Sequence, residues 1–205
     1  WLKTDLFEER ARERALLPRL GSATWIGSDL SPEVARAAAH LGTASVLAAD
    51  VRALPFAAGS VDGILSTSTL DHFELPDEID ASLLELRRVL APGGQLVLTL
   101  DNPRNPLVRL RNALPAGLAR RSGLVPFEVG ATYDEERGRA ALQRAGFDVA
   151  RTAHLLHAPH VIGTRLAAFG WYERNVLPRW DRLASTRVAP VSGHFVAFHA
   201  TPRRD

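Results

Sequence analysis

The sequence predicts a doubly wound α/β fold with a mostly parallel sheet, on the strength of three observations. Apolar runs that suit buried strands alternate with amphipathic helices through the first half of the chain. Two successive strands each end on an aspartate, Asp29 and Asp50. A proline–glycine–glycine turn at 92–94 leads from a helix into a further apolar strand. With 205 residues and 46% hydrophobic content, the chain suits a single domain over 1–205.

The elements of the first half follow one another in strand–helix order. Ser31 and Pro32 are typical of a helix start, and Gly42 is typical of its end. The predicted strands are 1–4, 24–29, 44–49, 61–66 and 95–100, and the predicted helices are 8–20, 32–41 and 77–90.

The second half is less regular, with a helix predicted over 132–145 and strands over 147–156 and 194–199. Two insertions, at about 102–130 and 157–189, leave the sheet near its ligand face and mix apolar side chains with arginine. We expect them to form a lid over an apolar substrate, with simple packing against the core as the alternative. Amphipathic segments with arginine and tryptophan also suit a membrane surface, which predicts peripheral membrane contact.

Composition narrows the classes of function. The chain contains no cysteine, which excludes disulfides, thiolate metal sites and a cysteine nucleophile. The formal net charge is +2 and no basic stripe alternates with aromatic residues, so no nucleic-acid partner is expected. No apolar run reaches membrane-spanning length and no signal peptide is visible, which predicts a cytoplasmic protein. His154, His157 and His160 are spaced by threes, but Pro159 prevents one helix from aligning them, so no metal site is expected.

Asp29 is the first candidate site residue. It stands at the carboxyl end of a predicted strand and just before a helix start, where open α/β sheets bind their ligands. An acid at this place commonly accepts hydrogen bonds from the hydroxyls of a nucleoside ribose. The alternative is a carboxylate that caps the helix or fixes the loop.

Three stretches carry a resemblance to a known family: GSDLSPEVARAA at 27–38, AADVRALPFAAGSVDGILSTSTLDHF at 48–73, and LLELRRVLAPGGQLVLTLDNP at 83–103. In order and spacing they resemble the core of class I S-adenosylmethionine-dependent methyltransferases. The resemblance implies a Rossmann-like, seven-stranded sheet with the last strand antiparallel. It also implies S-adenosyl-L-methionine as cofactor and transfer of its methyl group, by direct displacement, to a small-molecule or lipid-like acceptor.

The resemblance also implies roles for individual residues. In the family the acid at the end of the third strand helps to hold the adenine amino group, and Asp50 has that position, with Val51 beside it. The alternative for Asp50 is an ion pair with Arg52. The full set of expected cofactor-binding residues is Lys3, Asp5, Asp29, Leu30, Asp50, Val51, Ser66 and Thr67.

The chain departs from the family in its first loop. The family places a glycine-rich loop after the first strand, so that the backbone passes close under the methionine half of the cofactor. Residues 1–9 contain no glycine, but they hold Asp5, Glu8 and Glu9. These carboxylates could attract the positive groups of the cofactor, with Lys3 meeting its carboxylate. Alternatively, Glu8 and Glu9 interact with a helix dipole. The departure leaves a second function open, a catalytically inactive methyltransferase-like domain that acts as a binding or scaffolding protein.

His72 and Asp71 are the candidate catalytic residues. Both follow the fourth strand, where the family lines its cleft, and a histidine there can remove a proton from a hydroxyl or amine acceptor. The alternative is a histidine that fixes a loop. Asp101, Asn102 and Arg104 follow the fifth strand and are expected to orient a polar part of the substrate, with turn formation as the alternative.

Overall fold

A computed structural model describes residues 1–10, 15–21, 23–40, 42, 44–113, 130–158 and 170–203. One seven-stranded sheet lies at its centre, in the order β3-β2-β1-β4-β5-β7-β6. The strands are β1 (Leu2–Thr4), β2 (Ile26–Asp29), β3 (Ser45–Ala48), β4 (Val61–Thr67), β5 (Leu90–Asp101), β6 (Phe147–Leu155) and β7 (Phe195–Pro202). β1 to β5 are parallel to one another, and β7 runs antiparallel between β5 and β6. The predicted fold class is therefore confirmed.

Helices cover the sheet, and local sequence sets where they begin. The Ser31 hydroxyl accepts a hydrogen bond from the Val34 N–H at 3.3 Å, so Ser31 is the N-cap that the sequence predicts. The Asp134 carboxylate caps a later helix in the same way, through the Arg137 N–H at 3.0 Å. The helices are α1 (Pro32–Ala39), α2 (Pro76–Val89), α3 (Pro106–Ala113), α4 (Glu135–Arg144), α5 (Gly170–Asn175), α6 (Leu177–Asp181) and α7 (Ala189–Ser192).

The helix predicted over 8–20 is wrong. The described residues there form two short 3-10 turns, Glu8–Arg10 and Leu17–Arg19, and residues 11–14 lie outside the described part. Glu9 explains the difference, because its buried carboxylate accepts the N–H groups of Leu16 and Leu17 at 3.0 and 3.3 Å. Those N–H groups therefore have a side-chain partner instead of helical carbonyls.

The strand predicted over 95–100 begins earlier, at Leu90, and includes the Pro-Gly-Gly sequence. This extension is possible because the register with β4 shifts there: Val61 pairs with Leu90, whereas Gly63 pairs with Gln95. The other predicted strands and helices agree with the observed ones to within a few residues.

The main core lies between the sheet and the helices α2 and α4. α2 contributes a buried stripe of Ile79, Leu83, Leu86 and Val89, which matches its amphipathic sequence pattern. Packing these side chains against the strands holds β4 and β5 in place, and so fixes the loops that leave their carboxyl ends. None of the helices in the described ranges is long and apolar enough to cross a membrane.

Candidate functional site

An open cleft with a cavity volume of about 180 Å³ lies at the carboxyl ends of β1, β2 and β3 and beside the segment after β4. The lining residues are Thr4, Asp5, Ser28, Asp29, Leu30, Ala49, Asp50, Val51, Thr69, His72 and Phe73. Six of these were expected from the sequence: Asp5, Asp29, Leu30, Asp50, Val51 and His72.

Asp29 joins three segments at the floor of the cleft. One carboxylate oxygen accepts the Leu6 N–H at 2.8 Å, and the other accepts the Ser31 N–H at 2.8 Å. The residue therefore ties the loop after β1 to the start of α1, which is the loop-fixing role left open by the sequence. Because each carboxylate oxygen can accept about two hydrogen bonds, Asp29 keeps acceptor capacity for a ligand.

The structure explains how a loop without glycine leaves the cleft open. Asp5 adopts a left-handed backbone conformation with φ of 65°, which glycine favours and aspartate tolerates. Leu6 then turns away from the cleft and is fully buried over Gly27 of β2. A Cβ at Gly27 would lie 2.7 Å from Leu6 Cδ2. The glycine that makes room for the loop therefore stands in the neighbouring strand.

Lys3 precedes the cleft residue Thr4 in β1, so its side chain lies on the other face of the strand. It is only 3% exposed. Its ammonium group donates to the Asp5 carbonyl and lies 3.6 Å from the Glu9 carboxylate. Lys3 is not among the described residues that line the cleft, and its cofactor-binding role stays a prediction. Glu9 is committed to this ion pair and to the turn that follows it.

Asp50 lines the cleft and is also held by Arg52, as the alternative interpretation of the sequence expected. The guanidinium Nε lies 3.0 and 3.1 Å from the two carboxylate oxygens, and the Arg52 N–H donates at 2.8 Å. These hydrogen bonds lower the pKa of Asp50. The Arg52 Cζ also lies 4.9 Å from the centre of the Phe73 ring, which forms an apolar part of the wall.

A group of hydroxyls connects β1 to β4. Thr4 Oγ1 donates to Ser66 Oγ at 2.9 Å and lies 2.8 Å from Thr69 Oγ1. Ser66 is fully buried behind Thr4. Among the described residues, Ser66 and Thr67 do not line the cleft, whereas Thr4 and Thr69 do. Thr69 follows the fourth strand, where the resemblance places the cleft, and the only signal for Thr4 is its position at the end of the first strand.

Asp71 and His72 point in different directions. His72 lines the cleft and is exposed. Asp71 is 4% exposed, and one of its oxygens accepts the Asp101 N–H at 3.2 Å. The other oxygen has no hydrogen-bond partner in the described part of the chain. Burial, and secondly the charge of Asp101, raise the pKa of Asp71 to about 7.

The three residues expected to bind substrate lie outside the cleft walls described above, and their role stays a prediction. Asp101 is buried in an ion pair with Arg111 of α3, and the His194 ring lies 3.5 Å away. Asn102 is fully buried, and its amide donates to the carbonyls of Pro190 and Gly193 at 2.9 Å each. Arg104 is exposed. Asp101 and Asn102 thus fasten α3 and the start of β7 to the end of β5.

The chain that returns to the sheet at Gly130 pairs with the segment that carries His72. The Gly130 N–H donates to the Asp71 carbonyl at 2.8 Å, and the Ala131 N–H donates to the Phe73 carbonyl at 2.6 Å. A Cβ at Gly130 would overlap the Phe73 carbonyl. Gly130 and Ala131 therefore bind the backbone on both sides of His72.

Of the histidines spaced by threes, His154 is buried with its Nε2 at 3.6 Å from the Glu135 carboxylate. The His157 ring nitrogens lie 2.7 Å from Ser192 Oγ and 3.0 Å from the His154 carbonyl. His160 lies outside the described residues. Within the ranges that the structure describes, no group of three or more His, Cys, Asp or Glu side chains could hold a metal ion.

Comparison with known proteins supports the resemblance found in the sequence. Residues 10–98 match the family model of a methyltransferase domain. No curated protein matches the chain.

Solved structures show the same fold. A SAM-dependent methyltransferase from Thermotoga maritima, described as a possible histamine N-methyltransferase, is 17% identical with a TM-score of 0.64; the match covers 98% of this chain and 80% of that one. A SAM-dependent methyltransferase from Methanosarcina mazei is 16% identical with a TM-score of 0.64, over 100% and 92% of the two chains. A cyclase is 16% identical with a TM-score of 0.61, over 100% and 74%.

Proposed function

We propose that this chain, which has the fold and a matching domain of the class I S-adenosylmethionine-dependent methyltransferases, transfers a methyl group to a small or lipid-like acceptor by direct displacement. The cofactor of this family is S-adenosylmethionine, which supplies an electrophilic methyl group on a positively charged sulfur. The single observation that carries the proposal is the cleft, where Asp29 and Asp50 stand side by side at the ends of neighbouring strands.

The residues of the cleft fit this cofactor. Asp29 has acceptor capacity left for ribose hydroxyls, although both its oxygens already bind backbone N–H groups. Asp50 and Val51 would hold the adenine edge, and Leu30 and Phe73 would give the base an apolar surrounding. Leu6 is buried over Gly27 and is not among the described residues that line the cleft, so its side chain does not block the position beside Asp5 where the methionine half would lie.

His72 is the residue that we assign to proton removal from the acceptor. It is exposed to the cleft, on the segment that follows β4, and can accept a proton from a hydroxyl or amine. Alignment of the acceptor supplies the remainder of the rate enhancement in direct displacement. The buried Asp71 keeps the backbone of this segment in place through its hydrogen bond to Asp101.

Calorimetric titration with S-adenosylmethionine and S-adenosylhomocysteine tests the proposal. We expect both ligands to bind, whereas guanosine, which lacks the adenine amino group, should bind much more weakly. If neither cofactor form gives heat at millimolar concentration, the methyltransferase proposal is wrong.

We also propose that the insertions at 102–130 and 157–189 form a lid that contacts an apolar acceptor or a membrane surface. In support, α3 exposes Leu107 and Leu110 by 50% and 61%, beside the exposed Arg109. Co-sedimentation with anionic and neutral liposomes, compared between the wild type and a Leu107→Gln/Leu110→Gln variant, tests the membrane contact. Equal and negligible sedimentation of both proteins would contradict the proposed membrane contact.

A binding or scaffolding protein without catalysis is the second candidate. The closed Asp50–Arg52 pair supports it, because a carboxylate that is already neutralised is less available to a ligand. The cyclase neighbour also shows that this fold serves reactions other than methyl transfer. The same titration separates the candidates, since the scaffold requires no cofactor affinity.

A further inference from the structure

Among the described residues, three carboxylates face the cleft, and their hydrogen-bond partners differ. Both oxygens of Asp29 accept backbone N–H groups, and both oxygens of Asp50 bind Arg52. Asp5 has one such contact, from the Phe7 N–H at 2.8 Å, and its other oxygen has no hydrogen-bond partner among the described residues. Of these three carboxylates, Asp5 therefore has the largest remaining capacity to accept hydrogen bonds.

Lys3 and Arg52 form their ion pairs with carboxylates other than that of Asp5. The ammonium group of Lys3 lies 3.6 Å from Glu9 and donates to the backbone carbonyl of Asp5, not to its carboxylate. Arg52 is shared by Asp50 and Glu78. Burial is the largest cause of the raised pKa of Asp5 and the charge of Asp29 adds to it, whereas the Phe7 N–H and the charges of Lys3 and His72 oppose the rise. A cation in the cleft would offset both effects.

The backbone conformation of Asp5 places its side chain in the cleft wall. The left-handed conformation puts a carboxylate at a loop position for which glycine is the usual choice, at the start of the segment that borders the cleft. Aspartate is one of the few residues that tolerate this conformation. The residue thus combines the backbone geometry of a glycine with a negative charge.

We propose that Asp5 is the counter-ion for a positive charge on the methionine half of the cofactor, an inference that rests on the proposed function. The charge belongs either to the sulfonium or to the α-ammonium group. The sulfonium is present only in S-adenosylmethionine, whereas the α-ammonium is also present in S-adenosylhomocysteine. Adenosine contains neither, so these three ligands distinguish the two sources.

The test is calorimetric titration of the wild type and of Asp5→Asn with all three ligands at one pH. Asparagine tolerates the left-handed backbone and can still accept the Phe7 N–H, so only the charge is removed. Asp5→Gly keeps the backbone conformation and removes the whole side chain. Asp62→Asn, at an exposed position of β4, is the control for net charge.

We expect S-adenosylmethionine to bind about tenfold or more weakly to both Asp5 variants, with adenosine affinity unchanged, as for the loss of a charge-assisted hydrogen bond. An equal loss for S-adenosylhomocysteine identifies the ammonium as the partner, and its unchanged affinity identifies the sulfonium. A smaller loss for S-adenosylmethionine, or an equal loss for adenosine, overturns the inference while the proposed function stands. Failure of the wild type to bind any of the three ligands overturns both.

Discussion

Replacing Asp71 by asparagine should remove a pH dependence from the stability of this protein. Asp71 is buried beside Asp101, and its pKa is raised to about 7 from an ordinary value of 3.8. Asparagine has nearly the same shape as a protonated aspartic acid. Its amide oxygen can accept the Asp101 N–H. The substitution therefore imitates the protonated form and cannot ionise.

The size of the effect follows from the two pKa values. At pH 5 Asp71 is ionised in the unfolded chain but protonated in the folded protein, so the folded state binds more protons. Stability then falls as the pH rises towards 7, by about 1.4 kcal/mol per unit, and levels off above that pH. Between pH 5 and pH 8 the wild type should lose on the order of 3 kcal/mol through this group, and the Asp71→Asn variant should lose none of it.

Urea unfolding at pH 5, 6, 7 and 8, followed by circular dichroism, measures this difference. Titrating groups that do not interact with Asp71 are common to both proteins, so their contributions cancel when the wild-type free energy is subtracted from that of the variant. Asp62→Asn, at an exposed position, should show no such trend. A free-energy difference between Asp71→Asn and the wild type that is the same at pH 5 and pH 8 would refute the reasoning.

Three further substitutions address the cleft. Asp29→Ala should weaken adenosine binding by about 1–3 kcal/mol in calorimetry, and unchanged affinity in a folded variant would exclude Asp29 from the site. His72→Ala should lower turnover about a hundredfold in a methyl-transfer assay with little change in cofactor affinity; a loss of only a few fold would indicate positioning instead. Gly27→Ala should lower the unfolding free energy by about 1–3 kcal/mol, because Leu6 is fully buried over it. Adding Leu6→Ala should make the Gly27→Ala change less costly, and a cost that is unaffected by Leu6 would contradict the packing explanation.

Sequence patterns predicted the sheet and the ends of its strands, because alternation and caps are local properties of the chain. Asp29 and Asp50 were placed at the same edge for that reason, since parallel strands bring their carboxyl ends together. Local patterns did not predict that the described residues of 8–20 form two 3-10 turns instead of one helix. This arrangement depends on Glu9, whose partners are the N–H groups of residues seven and eight positions later.

The cleft was predicted only in part, because side-chain direction beyond a strand end depends on tertiary contacts. Asp71 and His72 are adjacent in the chain, but one is buried against Asp101 and the other faces the cleft. Phe73 became a wall residue through its contact with Arg52, which spacing does not encode. Lys3 forms an ion pair with Glu9, on the face of β1 opposite to Thr4, and such a contact cannot be inferred from strand position.

The backbone contacts of Gly130 and Ala131 have a mechanical consequence for the cleft. These residues donate N–H groups to the carbonyls on either side of His72, and no side chain fits at Gly130. These two hydrogen bonds hold the backbone on both sides of His72, so the placement of the imidazole in the cleft depends on the segment that begins at Gly130.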